Sequence, residues 1–251
     1  MGALDGRVAI ITGAGRGIGR AIAVELARRG YQLVLTSRNE AELRETARLS
    51  QPGAMIAPAD VADAQQLRDV AERALETFDR IDAVINNAGY APVRSIETVN
   101  DVEWQSILDV NVSAAVRLAK AVWPTFRKQN SGVIVNISSK ASDDPFTGLG
   151  LYGAAKAALN VLGLSLAREG KDIGVRVHTI APGAVETAMF RTILTHEQYP
   201  TDKTFSPSDI AKVVADCVTG SPPQPSGEVI WMVKNHQPGA VEKIKKKLFG
   251  S

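Results

Sequence analysis

The chain has 251 residues, 45% of them hydrophobic and 22% charged, an ordinary globular make-up with enough length for one sizeable α/β core. Its 29 basic and 27 acidic side chains leave a formal charge of +2, so no overall field argues for a nucleic-acid partner. The single cysteine, Cys217, excludes an internal disulfide framework, and no apolar run approaches membrane-spanning length. No basic, apolar, small-residue leader opens the chain, so a cytoplasmic protein without a membrane partner is expected.

The first apolar run, 8–11, leads straight into Thr12-Gly13-Ala14-Gly15-Arg16-Gly17-Ile18-Gly19 and a helical pattern over 17–29. Glycines after a first strand let the backbone turn tightly and approach a pyrophosphate. The helix that follows offers its N–H groups and positive dipole end to the phosphates. The spacing is Gly-x-x-x-Gly-x-Gly, and no Gly-Lys-Ser/Thr follows, which disfavours a P-loop. The second run, 33–35, ends at Thr36-Ser37-Arg38 with no acid at that point to accept a ribose 2′-hydroxyl. Arg38, Ser37 and Arg16 of the glycine loop suit a 2′-phosphate, so NADP(H) is expected over NAD(H). The plainer alternative is a solvated surface arginine at each position.

The alternation continues with a helix over 39–49, a run at 54–56 before Asp60-Val61, and a helix over 63–77. A run at 83–85 ends in Asn86-Asn87-Ala88-Gly89, and a long helical pattern over 101–128 contains Asn111. The run 133–135 precedes Ser138-Ser139, and a helix over 152–169 opens with Tyr152-Gly153-Ala154-Ala155-Lys156. The run 175–180 precedes Pro182-Gly183, and the apolar loop 186–206, expected to be a mobile cover, follows. A helix over 207–218, a turn around Pro222, Pro223 and Pro225, and a last run at 229–233 complete the alternation. Short continuous apolar runs fit strands buried on both faces. Strict alternation with helices predicts one doubly wound parallel sheet of about seven strands, over 1–234. The remainder, 235–251, reads as a basic amphipathic tail. Val241, Ile244, Leu248 and Phe249 lie on one helix face and Lys243, Lys245, Lys246 and Lys247 on much of the rest. Packing on its own or a neighbouring subunit is expected of the tail, with a basic surface for an acidic partner or anionic lipid as the alternative.

Tyr152 and Lys156 are one helical turn apart on one face. A phenol titrates near pH 10 in isolation, and a nearby ammonium lowers that value, so the pair makes an acid/base device for neutral pH. Taken alone, the spacing also describes two helix-surface residues.

All these stations in order make the chain resemble the short-chain dehydrogenase/reductase family over nearly its whole length, including its 3-oxoacyl-[acyl-carrier-protein] reductase-like members. The resemblance implies a single-domain Rossmann fold, NAD(P)-dependent oxidoreduction of a small-molecule carbonyl or alcohol, and a homotetramer or dimer built through the long helices. It implies that Ser139, thirteen residues before Tyr152, holds the substrate oxygen while Tyr152 exchanges the proton. It implies that Lys156 lowers the tyrosine pKa and holds the nicotinamide ribose, and that Asn111 disturbs its helix and holds a water relaying protons. Ser138 is read as a supporting residue. Gly13, Gly15, Arg16, Gly17, Ile18 and Gly19 would face the cofactor phosphates, and Asn87, Ala88 and Gly89 would flank the cofactor and brace the sheet. Asp60 and Val61 are read as the end of the third strand and as implied adenine contacts, unless Asp60 is a turn or N-cap aspartate. Pro182, Gly183, the Val185 backbone and the Thr187 hydroxyl would lie by the nicotinamide, unless Thr187 is only an N-cap.

A non-catalytic NADP(H)-binding scaffold or sensor is the rival reading; an intact Asn111–Ser139–Tyr152–Lys156 set argues against it. No metal is expected, because His178, His196 and His236 show no zinc-like spacing with acids or Cys217. Arg127, Lys128, Arg168 and Lys171 at two helix ends would suit an acidic acyl carrier, although cations favour helix C-termini in any case. The two acids of Asp143-Asp144-Pro145-Phe146 are unexplained by the sequence.

Overall fold

The apolar runs form seven parallel strands, the five central ones buried on both faces with little polar side chain to turn toward water and the two edge ones, at 55–56 and 229–232, only partly buried. In a computed structural model of the chain, which describes residues 6–50 and 53–234, the strands are β1 (Val8–Thr12), β2 (Gln32–Thr36), β3 (Met55–Ile56), β4 (Ala83–Asn86), β5 (Gly132–Ile137), β6 (Val175–Pro182) and β7 (Val229–Met232). They lie in the order β3-β2-β1-β4-β5-β6-β7. Ile10 pairs with Val34 on one side and Val84 on the other, so the crossover direction reverses beside β1. A crevice opens there beyond the strand C-termini, where ligands bind in such sheets.

Alternate residues of each strand serve opposite layers. Ala9 and Ile11 pack with Ile22 and Leu26 of α1 (Gly17–Arg28), Leu43 of α2 (Glu40–Ser50) and Val214 of α8 (Pro207–Thr219). Val8 and Ile10 pack with Leu67 of α3 (Ala64–Phe78) and with Leu118 and Phe126 of α5 (Ala114–Gln129). Helix starts are set by local chemistry. Asp63 accepts from the Gln65 and Gln66 amides at the head of α3, and Ser206 and Asp209 cap each other's backbone at the head of α8.

The long pattern over 101–128 is α4 (Asp101–Leu108) joined to α5 through a π turn, Asp109–Ser113. This is the disturbance expected at Asn111. α6 (Gly150–Gly170) carries Tyr152 and Lys156. Two expectations change. β3 is only two residues long, so Asp60 and Val61 lie beyond it, on the loop to α3, where single bonds such as Ala59 N–H to Ser37 O extend the pairing. The segment 186–206 contains a short helix, α7 (Ala188–Ile193), folded over buried Leu194 and Tyr199 with Phe146 and Ala184. The tail 235–251 lies outside the described residues. No helix among them is long and apolar enough to cross a membrane.

Candidate active site

The loops at the β1/β4 crossover enclose a cleft of about 1070 Å³, lined from the glycine loop at one end to Phe190 and Tyr199 at the other. Gly13 has φ +64°, and a Cβ there would stand 2.9 Å from Asn87 Nδ2 and 3.0 Å from Ala88 Cα. A Cβ on Gly19 would meet Gly13 O at 2.2 Å, so α1 can start against β1 only without a side chain there. Asn87 Nδ2 donates to Thr12 O (2.8 Å), and the Asn87 and Ala88 amides both donate to Thr12 Oγ1 (3.0 Å). These bonds tie the end of β4 to the glycine loop, the bracing expected of Asn87 and Ala88.

The loop is held from outside by residues the sequence did not single out. Arg20 Nε donates to Gly15 O (3.1 Å) and to Thr46 Oγ1 (3.0 Å), and Thr46 Oγ1 donates to Ala14 O (2.9 Å). Nothing in the local spacing announces this clamp, because Thr46 comes from α2. Gly15, Arg16, Gly17, Ile18, Ser37, Arg38, Asp60, Val61, Gly89, Pro182, Gly183, Val185 and Thr187 all line the cleft. Asp60 Oδ1 accepts from the Ala62 amide (2.9 Å), the turn role weighed for it. Thr187 caps α7, accepting from the Phe190 amide (3.1 Å), and its Cγ2 lies 3.4 Å from the Cβ position of Gly17 across the cleft. The α1 N-terminus and Arg38, which has no ion-pair partner among the described residues, make this end fit a dinucleotide's phosphates.

The other end holds Ser139, Tyr152 and Lys156. Ser139 follows β5 and starts a 3₁₀ turn, Lys140–Ser142, with its Oγ accepting from the Ala141 amide (3.1 Å). The half-buried Tyr152 phenol lines the same wall of the cleft, and the Ser139 hydroxyl acts on it to lower its pKa. Ser138 points away, donating to Lys156 O (3.2 Å), as a supporting residue should. Asn111 is buried in the π turn; its Nδ2 donates to Tyr90 O (2.8 Å) and Ile107 O (2.9 Å), and its Oδ1 accepts from the Tyr90 amide (3.3 Å). It thereby fixes the strand of chain that leaves Gly89. Lys156 is only 3% exposed, donates from Nζ to Ile137 O (2.8 Å), and has Nζ 5.7 Å from the centroid of the Tyr152 ring.

Electrostatics here departs from expectation. Burial pushes the Tyr152 phenol up to about 12, with the Ser139 hydroxyl pulling the other way. Burial also brings Lys156 down to about 7. The two groups lose solvent together, so the lysine surrenders part of its charge near neutrality and does not lower the phenol. Tyr152 is therefore a protonated donor at pH 7, and Lys156 is close to its titration midpoint. No group of three or more His, Cys, Asp or Glu suited to a metal occurs among the described residues.

The short chain dehydrogenase family model matches residues 7–198. An uncharacterised oxidoreductase of Staphylococcus aureus (strain USA300) is 37% identical over 221 residues, covering 87% of this chain and 94% of that protein. One from Staphylococcus epidermidis is 36% identical over 189 residues, 75% of this chain and 82% of the relative. Among solved structures, a 3-ketoacyl-(acyl-carrier-protein) reductase from Brucella melitensis complexed with NADH superimposes with a TM-score of 0.86 at 27% identity, covering 91% of this chain and 97% of that one. A short chain dehydrogenase/reductase family protein does so at 0.85 and 30% identity, over 92% and 97%.

Proposed function

The chain belongs to the short chain dehydrogenase family, and from that premise we propose that it is an NADP(H)-dependent oxidoreductase reducing a carbonyl to a secondary alcohol. The observation that carries this reading is the convergence of Ser139 and Tyr152 on one wall of a dinucleotide-sized cleft, with buried Lys156 Nζ 5.7 Å from the Tyr152 ring centroid. The cleft residues from Gly13 to Ile18, with Asn87, Ala88, Gly89 and Thr187, would hold a nicotinamide dinucleotide, which when bound would supply the hydride for the carbonyl carbon. Ser139 orients the carbonyl oxygen, and Tyr152 gives its proton to that oxygen as negative charge develops there. Hydride plus proton completes the alcohol, and a phenol held near 12 is protonated and ready at neutral pH. Lys156, with Nζ below the phenol, would hold the ribose hydroxyls and pass a proton back to Tyr152. Asn111 keeps the adjoining turn in place.

Arg16, Ser37 and Arg38 at the mouth support NADP(H), and the apolar wall of Phe190, Ile193 and Tyr199 supports a hydrophobic substrate, with 3-oxoacyl thioesters as one class. Arg127 and Lys128 at the end of α5 and Arg168 at the end of α6 would suit an acidic acyl carrier. Exposed Val116, Val161 and Leu164 on α5 and α6 support assembly into a dimer or tetramer. NADPH consumption against a panel of ketones and 3-oxoacyl thioesters tests the reading. Tyr152→Phe should lower turnover by roughly 10²–10⁴ while leaving NADPH affinity within a few-fold. A Tyr152→Phe protein of near-normal turnover would remove the tyrosine from the acid role, and NADPH binding without any turnover across the panel would favour a scaffold.

A further inference from the structure

The end of β2 carries no acid, but the fold brings one to the same place from α2. Glu42 lies in the first turn of that helix, four residues beyond Arg38. A Cβ built on Gly15 would stand 2.8 Å from Glu42 Oε2, 2.9 Å from Glu42 Cβ and 3.1 Å from Ser37 Oγ. Glu42 Oε1 is 3.9 Å from Arg16 Nη1, and the two side chains are 34% and 70% exposed. The glutamate's backbone is held at the head of its helix, with its amide donating to Asn39 Oδ1 (3.2 Å). Glu42, Arg16, Ser37 and Arg38 line one stretch of the cleft wall.

A carboxylate in this position acts oppositely on the two cofactors. It can accept a hydrogen bond from a ribose 2′-hydroxyl, and it repels a 2′-phosphate dianion. It also already engages Arg16, so a 2′-phosphate must compete with it for that guanidinium. We infer that Glu42 sets the cofactor selectivity of this chain: it favours the 2′-hydroxyl of NAD(H) and opposes the 2′-phosphate of NADP(H), so the preference that Arg16 and Arg38 give NADP(H) is narrow and both cofactors bind. The inference rests on the dinucleotide-dependent reading above and concerns binding alone.

Titration of the full-length chain with NADH and with NADPH, followed by nicotinamide fluorescence at low salt, tests it without reference to turnover. Glu42→Gln keeps the side chain's shape and removes its charge. It should tighten NADPH about tenfold, the equivalent of about 1.4 kcal/mol, and leave NADH unchanged or a few-fold weaker. Glu42→Ala, which also removes the acceptor, should shift the ratio in the same direction with a larger loss for NADH. Far-ultraviolet circular dichroism and melting temperature confirm that each variant is folded. An NADPH-to-NADH affinity ratio within twofold of the unmodified protein in both variants overturns the inference and leaves the oxidoreductase reading standing. Failure of the unmodified protein to bind either dinucleotide overturns that reading and the inference with it.

Discussion

Burial decides the chemistry of individual residues here more than pairing does. Lys156 titrates near 7 in the folded chain against about 10.4 in an exposed one. Its folded value is depressed, so the unfolded state binds more protons between those limits, and stability rises with pH across that window. Below pH 7 the lysine is charged in both states, and the folded state carries the full desolvation penalty. Lys156→Met should remove that penalty. Its melting temperature should exceed that of the unmodified protein at pH 6–7, and the gap should close toward pH 10, where Tyr152 begins to oppose further gain. Melting curves in matched buffers measure this, and a variant that melts lower at pH 7 would mean that the bond from Nζ to Ile137 O outweighs burial. Turnover should be lost in the same variant, an example of stability given up at a working site. The tyrosine and lysine were singled out by their spacing together with the motifs that accompany it, not by the spacing alone. Their protonation was not legible, because desolvation depends on what other segments bring over them. Glu42 was missed for the same kind of reason. It is local to Arg38 in sequence, yet only the turn between β2 and α2 lays it over Gly15.

At the scale of elements, periodicity foretold what is periodic. Continuous apolar runs gave β1 through β7 to within a residue or two, and the helix starts carry their caps in plain sight at Asp63 and Ser206. The segment 186–206 resisted because six helical residues make less than two turns, too few for a stripe. Arg191 organises it. Its Nε donates to Glu186 Oε1 (2.8 Å), and its Nη1 donates to the carbonyls of Tyr199 (2.7 Å), Thr195 (3.2 Å) and Leu194 (3.4 Å). The guanidinium holds the Glu186 carboxyl down at about 2. A depressed carboxyl contributes above its unfolded value and loses that contribution only as pH falls toward 2, so the latch is fully set at neutral pH. Arg191→Ala strips partners from three carbonyls and one carboxylate, at about 1 kcal/mol for each neutral bond. Amide exchange across 190–205 should quicken by roughly 10–100-fold, with β1, β4 and β5 unaffected. Unchanged exchange in that segment would show that the Leu194–Tyr199 core, not Arg191, holds it.

For the molecule as a whole, the doubly wound parallel sheet was readable because the glycine loop, Thr36-Ser37-Arg38, Asn86 to Gly89, Ser138-Ser139 and Pro182-Gly183 each fall at or just after a strand end, and parallel strands put all their C-termini on one edge. An association of copies was expected only through resemblance, since it would depend on faces that no strand pattern describes. One exposed helix face is where we propose such an association would form. On α6, Ala154, Ala158, Val161 and Leu164 are exposed along one side, at steps of four, three and three residues. Small and apolar residues at helical spacing let two helices approach closely, and Val161 is 68% exposed. Tyr152 lies on the same helix nine residues earlier, about 13 Å along the axis, so a change at Val161 leaves the catalytic turn out of reach of direct contact. Val161→Asp should therefore reduce the particle mass in light scattering to a smaller assembly, because two carboxylates would meet where two apolar side chains had packed. It should also lower the melting temperature in a protein-concentration-dependent way, while nicotinamide binding to the remaining subunits changes by no more than a few-fold. A variant that keeps the mass and melting temperature of the unmodified protein would place the association surface somewhere other than α6.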